Sequence, residues 1–536
     1  MRTLVRTIPP ATWFALAAFA ALLTFWATMT PAYRAPDEPQ HVSAVLGLVQ
    51  GQGWPKPGAA EIDPGVLRSA VLTGFLVSAD QPTSRGNTLP GVHVATGRER
   101  PPLYSAQRPT PPAERLPYDA LAAEGPTGFT NQMTQHPPGY YAAQAAVFVA
   151  VGAQDWRSDR QLALLRLGSV AMVGWLPLLA FLTVRRLFVS PVLGSAAAYL
   201  PLAVPQLAHV GSTVTNDALV VLLGAVLVTA LAYLLTGSRH RLTLATVALA
   251  LGLGLLTKGL VLPLIPAAAV ALVVGLRRTG LRWTATAVQS LLVLTGAFFV
   301  GGWWWLLNLL RYGTLQPNGL GTDRSRGAPS VGLLDYGDRF AQEVNTSFWG
   351  NFGWLELPLP DVVTTGLALL TAMLVLLALA DRAARIPLLT LGLLPLVSLA
   401  ALFVALYTVH LRDGRFNGTQ GRYLFGSLLV LLAAVAIGLS VLARLVRLPV
   451  AWLVPAVALG SAAVAAYGTW AAFTGFYVDT GIGVATAWRT MSAWSPWPQW
   501  WVTALAVTAV ALLVAGPAVG VLPTLRPGGP PETRTA

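Results

Sequence analysis

Cysteine is absent from the 536 residues, which excludes disulfides, thiolate nucleophiles and cysteine-ligated metals. Charge is scarce: Asp, Glu, Lys and Arg make up 11% of the chain, about half the share of a soluble domain. Lysine occurs only at 56 and 258, and the other 33 basic residues are arginine. With the heavy use of Ala, Gly, Val and Pro, that bias points to a GC-rich bacterial genome. No P-loop, no H-E-x-x-H and no G-x-S-x-G in a strand context occurs, so ATP hydrolysis and zinc proteolysis lack support. A formal net charge of +13 suggests nucleic acid, but no basic stripe with interleaved aromatics exists, and no nucleic-acid partner is expected.

What is present is apolar: 54% of the residues are hydrophobic, gathered in long blocks. Blocks of ~20 residues match a hydrocarbon core of ~30 Å at 1.5 Å per residue. The chain therefore reads as an all-α polytopic membrane protein embedded in the lipid bilayer. Twelve spans are expected, near 12–30, 163–183, 190–210, 218–236, 242–257, 259–276, 284–309, 361–380, 387–408, 424–442, 449–474 and 500–522. Short basic connections mark the cytoplasmic side. Arg2 and Arg6, Arg185-Arg186, Arg239 to Arg241, Arg277-Arg278, Arg382 with Arg385, and Arg444 with Arg447 then all fall on one face, with both termini inside. Residues 139–153 are apolar but short, and counting them as a span would invert every later loop, so a re-entrant or juxtamembrane helix is expected there.

The outer face collects the long loops 31–162 and 310–360 and the stretches 409–423 and 475–499. The first loop is Pro-rich around 101–117 and reads as extended, with little apolar content of its own. Residues 1–440 form one expected module, and 441–536 supply further spans and a short tail.

Several polar residues stand where membrane spans end, and groups that are costly to desolvate need a reason to be there. Asp37, Glu38 and His41 open a stretch in which Val42, Val45, Leu46 and Val49 recur at helical spacing. An amphipathic helix lying on the membrane is expected. Asp37 and Glu38 either cap that helix and complement its dipole or act as a general base or metal ligands. His136 precedes two prolines and the pair Tyr140 and Tyr141, an interfacial belt or a substrate contact. Asp217 is an N-cap or a second acid near Asp37. Lys258 snorkels to the interface or binds a lipid phosphate as a point charge. Trp349 and Trp354 anchor at the interface or offer faces to a sugar or prenyl chain. His410, Arg412, Arg415, Arg422 and Tyr423 precede a span on the outer side, against the inside-positive trend; a solvated loop or an anion site accounts for them.

Taken in order, these motifs resemble the GT-C membrane glycosyltransferases, with protein mannosyltransferases and the lipid A aminoarabinose transferase as the nearest named groups. More closely, Asp37-Glu38-Pro39-x-His41, Asn216-Asp217, Ser347-Phe348-Trp349-Gly350 to Trp354 and Gln420-Gly421-Arg422-Tyr423 resemble an uncharacterised bacterial family of predicted polytopic membrane proteins. The resemblance spans roughly residues 10–430. It implies a GT-C-like fold and inverting transfer of a sugar from a polyprenyl-phosphate donor to a cell-envelope glycan, lipid or protein. The active site would face outward from the bacterial plasma membrane. Asp37 would be the base, with Glu38 and Asp217 supporting it. Lys258 and Arg422 would hold the donor phosphate. His41, His136, Tyr140, Trp349, Trp354 and Tyr423 would contact substrate. Aminoarabinose transferases carry Lys where this chain has His136, so a phosphate role there does not transfer. Some relatives use a divalent cation and others none, so Asp37 and Glu38 leave metal binding open. The alternative class is a transporter or lipid flippase, which would favour repeats and polar groups at the membrane midplane.

Overall fold

The structure is a computed structural model. It describes residues 8–75, 109–122, 125, 127–319, 331–414, 416, 418–478 and 482–521. The expected connections at Arg2 and Arg6, the Pro101-Pro102 stretch and Arg415 lie outside them.

Apolar composition makes the chain helical. Among the described residues, ten helices are long and apolar enough to cross a membrane, or eleven if one bent pair is a single span. They include Pro10–Met29, Ser158–Phe188, Asp217–Leu235, Gly259–Arg278, Arg382–Asp413 and Gly421–Leu445. The expected count of twelve is therefore not met, for two local reasons. The 190–210 region is a pair, Pro191–Ala203 and Pro205–Gly211, bent by 74°. Val204 sits at φ −120° and ψ 87°, because the ring of Pro205 disfavours helical geometry in the residue before it. The 242–257 region yields Arg241–Leu255, 15 residues long, which is short for a hydrocarbon core. Residues 139–153 give the 12-residue helix Gly139–Ala150, in accord with a non-spanning element.

The helix expected on the membrane surface is internal instead. Glu38–Val49 has every residue from Glu38 to Leu46 buried. It packs against Gly139–Ala150 rather than leaving a polar face open. The first long loop likewise joins the main core through Ile62, Val66, Leu67, Tyr118, Phe129 and Met133. The Pro-rich part at 109–117 is anchored by Arg115, whose guanidinium pairs with Asp159 at 2.9 Å and donates to the carbonyl of Ala493 at 2.8 Å. A further helix, Leu333–Trp349, was not expected from the sequence, and a small hairpin pairs Asn351–Phe352 with Leu357–Pro358.

Two packing details place the functional residues. At Gly224 a side chain would collide with the backbone of Gly426. Glycine there lets Asp217–Leu235 and Gly421–Leu445 approach closely, which brings their first turns together. The amide of Gly139 donates to the carbonyl of Leu256 at 3.0 Å, tying the turn after His136 to the break that carries Lys258.

Candidate functional site

Asp37, Asp217, Lys258 and Arg422 converge. Each stands at a helix end: Asp37 after Pro10–Met29, Asp217 at the start of Asp217–Leu235, Lys258 between Arg241–Leu255 and Leu264–Arg278, and Arg422 in the first turn of Gly421–Leu445. The arginine connections Arg239 to Arg241, Arg277-Arg278 and Arg444 lie at the opposite ends of the same helices.

The Lys258 ammonium lies 2.6 Å from Asp217 Oδ1. Arg422 Nε is 3.5 Å from Asp217 Oδ2, and Arg422 Nη2 is 4.0 Å from Asp37 Oδ2. Gln132 Nε2 donates to Asp37 Oδ1 at 3.0 Å. The Tyr423 ring sits beneath both cations, 5.1 Å from Lys258 Nζ and 5.5 Å from the Arg422 guanidinium carbon. Asp37, His41, Gln132, His136, Lys258, Arg422 and Tyr423 line one cavity of about 420 Å³, a volume suited to a small ligand. Leu260, Leu262, Ala401, Leu402 and Ala405 also line it. His136 Nδ1 is buried and has no hydrogen-bond partner, while Arg422 Nε has only the 3.5 Å ion pair with Asp217. An unpaired buried atom such as His136 Nδ1 is expensive and is ready to meet a ligand.

Electrostatics follow from burial. Asp37 is held in the left-handed region at φ 61°, a conformation that costs energy for a residue with a Cβ. Burial raises its carboxyl pKa, opposed by Arg422 and Lys258. Burial pushes Lys258 below its usual value, opposed by Asp217. Burial also pushes His136 down to about 3 and His41 well below its ordinary value, so both rings are neutral near pH 7.

Glu38, the next residue to Asp37, does not face the cavity. Its carboxylate accepts from Arg166 Nε at 2.8 Å and Nη2 at 2.6 Å, and from the amide of Val214 at 3.0 Å. Arg166 also donates to the carbonyls of Ala27, Thr30 and Pro31 at the end of Pro10–Met29. Glu38 is thus a fastener between three chain segments. This bears on the metal expectation. The Glu38 oxygens are occupied, Asp37 faces two cations, and no group of three or more His, Asp or Glu suited to a metal occurs among the described residues.

The remaining expected contacts divide. His41 and Tyr423 line the cavity with His136. The Tyr140 hydroxyl is 3.0 Å from Ser169 Oγ and accepts from the amide of Thr215 at 3.1 Å, which positions the loop before Asp217. Trp349 borders a separate apolar cavity of about 360 Å³ among the membrane helices. Trp354 Nε1 donates to the carbonyl of Tyr33 at 2.9 Å and stacks with Phe75. His410 packs among Tyr336, Tyr407 and Phe416. The sequence reading did not single out Gln132 or Arg166, and it named Asn216 and Tyr141 only within their motifs. The Tyr141 hydroxyl is 2.9 Å from His41 Nδ1 and accepts from Asn216 Nδ2 at 3.3 Å. Arg166, a lone arginine inside an apolar span, is the one of these that carried a visible signal.

Fold and site together define a multi-pass helical membrane protein with a charged cavity at the ends of its helices. The chain belongs to the predicted membrane protein family DUF2142, whose model matches residues 20–432. No curated protein matches it. Among solved structures it is similar to ArnT from Cupriavidus metallidurans bound to undecaprenyl phosphate, at 14% identity over 98% of this chain and 82% of that one, with a TM-score of 0.39. It is also similar to the apo oligosaccharyltransferase of Archaeoglobus fulgidus, at 12% identity over 94% of this chain and 55% of that one, with a TM-score of 0.40. A third is the archaeal oligosaccharyltransferase AglB from Archaeoglobus fulgidus with an inhibitory peptide and a dolichol-phosphate, at 12% identity over 97% and 56%, with a TM-score of 0.37. The chain spans little more than half the length of the oligosaccharyltransferases. Likeness of this degree does not identify an activity.

Proposed function

We propose that this protein is a GT-C-like glycosyltransferase of the bacterial plasma membrane. In this reading it moves a sugar from a polyprenyl phosphate to a cell-envelope acceptor on the outer face. One observation carries the reading: two acids and two cations, from positions 37, 217, 258 and 422, line or border a single cavity that Leu260, Leu262, Ala401, Leu402 and Ala405 also line. A lipid-linked donor needs that pairing. Its tail keeps the reactive carbon near the headgroup plane, so the site must lie where helices end, and its phosphate needs fixed cations.

The chemistry follows from the geometry. Asp37 takes the proton of the acceptor hydroxyl, whose oxygen attacks the anomeric carbon as the bond to the phosphate oxygen breaks. The electron pair leaves with the phosphate, and Lys258 and Arg422 stabilise the charge that develops there. Asp217 is the counter-ion that keeps both cations charged and oriented in a buried site before the anion arrives. Gln132 orients the Asp37 carboxylate. His136 and His41, being neutral, contribute hydrogen-bonding atoms without adding charge.

The test is purified Asp37→Asn assayed for sugar release from a polyprenyl-phosphate donor. Loss of about 10²-fold or more is expected for removal of a general base. Undiminished turnover excludes Asp37 from the reaction. Passage of the intact lipid-linked sugar across vesicles without cleavage would make the protein a flippase instead.

A further inference from the structure

A second cavity, of about 650 Å³, is lined by Leu333–Trp349, the start of Asp361–Ala380, and Phe416, Gly418 and Thr419. Its chemistry is the opposite of the Asp37 cavity. Amides from Gln342, Asn345 and Asn351 and hydroxyls from Thr346, Thr365 and Thr419 line it. Two carboxylates, Glu343 and Asp361, border it, and among the described residues no Lys or Arg does. Asn351 Oδ1 is buried with no hydrogen-bond partner, although its own amide N–H donates to Gln206 Oε1 at 2.8 Å.

We propose that this cleft binds a neutral saccharide, the non-reacting part of the acceptor. The inference rests on the glycosyltransferase reading. Planar amides and hydroxyls present donors and acceptors side by side, which suits vicinal sugar hydroxyls. The carboxylates repel a phosphate or an acidic sugar. The volume lies within the usual range for a small-ligand site. Location gives the cleft its relevance. Thr419 lies on the cleft side, and Arg422 and Tyr423, three and four residues on, line the donor cavity. Between them Gly421 is clamped: its amide donates to Ser347 Oγ at 2.8 Å, and a Cβ there would strike Val344 O and the Phe348 amide. One short, tightly packed segment, Thr419 to Tyr423, thus contributes side chains to both cavities.

The experiment is capture of the full chain, in detergent, on an array of neutral and acidic glycans. Neutral glycans are expected to retain it, with acidic ones at least tenfold weaker. Asn345→Leu and Thr365→Val are each expected to cut capture at least tenfold. Thr365 is exposed and Asn345 half-buried, so neither substitution removes core packing. Failure of every neutral glycan to bind, equal binding by both cleft variants, or preference for charged glycans each overturns the inference. The two readings separate cleanly. Glycan capture without Asp37-dependent transfer leaves the cleft and removes the catalytic reading. Asp37-dependent transfer without capture does the reverse.

Discussion

Asp37 and Glu38 are consecutive acids of one motif, and their surroundings make them different chemical objects. Glu38 is fully buried, bound by three donors and paired with a guanidinium that closes off the end of a neighbouring helix. Asp37 has a single amide donor and a cation 4.0 Å away, and it faces an open cavity. A carboxylate held by three donors and a buried guanidinium is fixed in place and ties chain segments together. A partly paired one, with its pKa raised by burial, has the properties that the proposed base requires. The left-handed backbone at Asp37 is what turns neighbouring side chains to different sides.

The comparison can be broken most forcefully at Arg166. Arg166→Leu strands a buried carboxylate and is expected to destabilise the protein by about 3–5 kcal/mol, read as lost expression and a lower thermal midpoint. Arg166→Met with Glu38→Leu is expected to recover much of that stability, because no unpaired charge remains. If the single variant folds like the parent, Glu38 is not a fastener. Next in size, Lys258→Met and Arg422→Gln each remove a charged hydrogen-bond donor, worth about 1.5–3 kcal/mol. Polyprenyl-phosphate affinity is expected to fall roughly tenfold to a hundredfold, while affinity for an uncharged prenol does not change. Equal losses for both lipids would argue for misfolding rather than phosphate recognition.

A pH profile sharpens the contrast further. The base form of Asp37 is lost as pH falls through its raised pKa, so kcat/KM is expected to fall on the acid side with a midpoint above the ~4 of free aspartate. Lys258 lowers that value, so the Lys258→Met limb moves to higher pH. A limb at or below 4, or one that Lys258→Met leaves in place, removes Asp37 as the titrating group. The smallest effect is expected at Trp354→Phe, which loses one hydrogen bond to Tyr33, about 1 kcal/mol, with transfer unaffected. A large loss of transfer there would return Trp354 to the site.

Much of the architecture was legible because hydropathy is a local property. Ten helices fall on expected spans, and 139–153, where charge parity argued against a span, holds the 12-residue helix Gly139–Ala150. The misses came where length and hydropathy stop deciding: the bend at Pro205, the 15-residue Arg241–Leu255 and the helix Leu333–Trp349 inside an expected loop. Within the site, Asp37, Asp217, Lys258 and Arg422 could be singled out as polar groups at span ends. Tyr140 and Trp354 looked similar by the same test and prove to hold backbone in place.

The sequence by itself determined the solvent of this protein, the number of helices to within two, and the short set of residues too polar for their positions. Each follows from transfer free energies that depend only on composition along the chain. Tertiary structure decided which of those residues meet. Close passage of two helices at Gly224 and Gly426, and a single left-handed residue at position 37, set distances among groups separated by up to 385 positions. Pairing energies fall off within a few ångströms, so only packing could tell a fastener from a base.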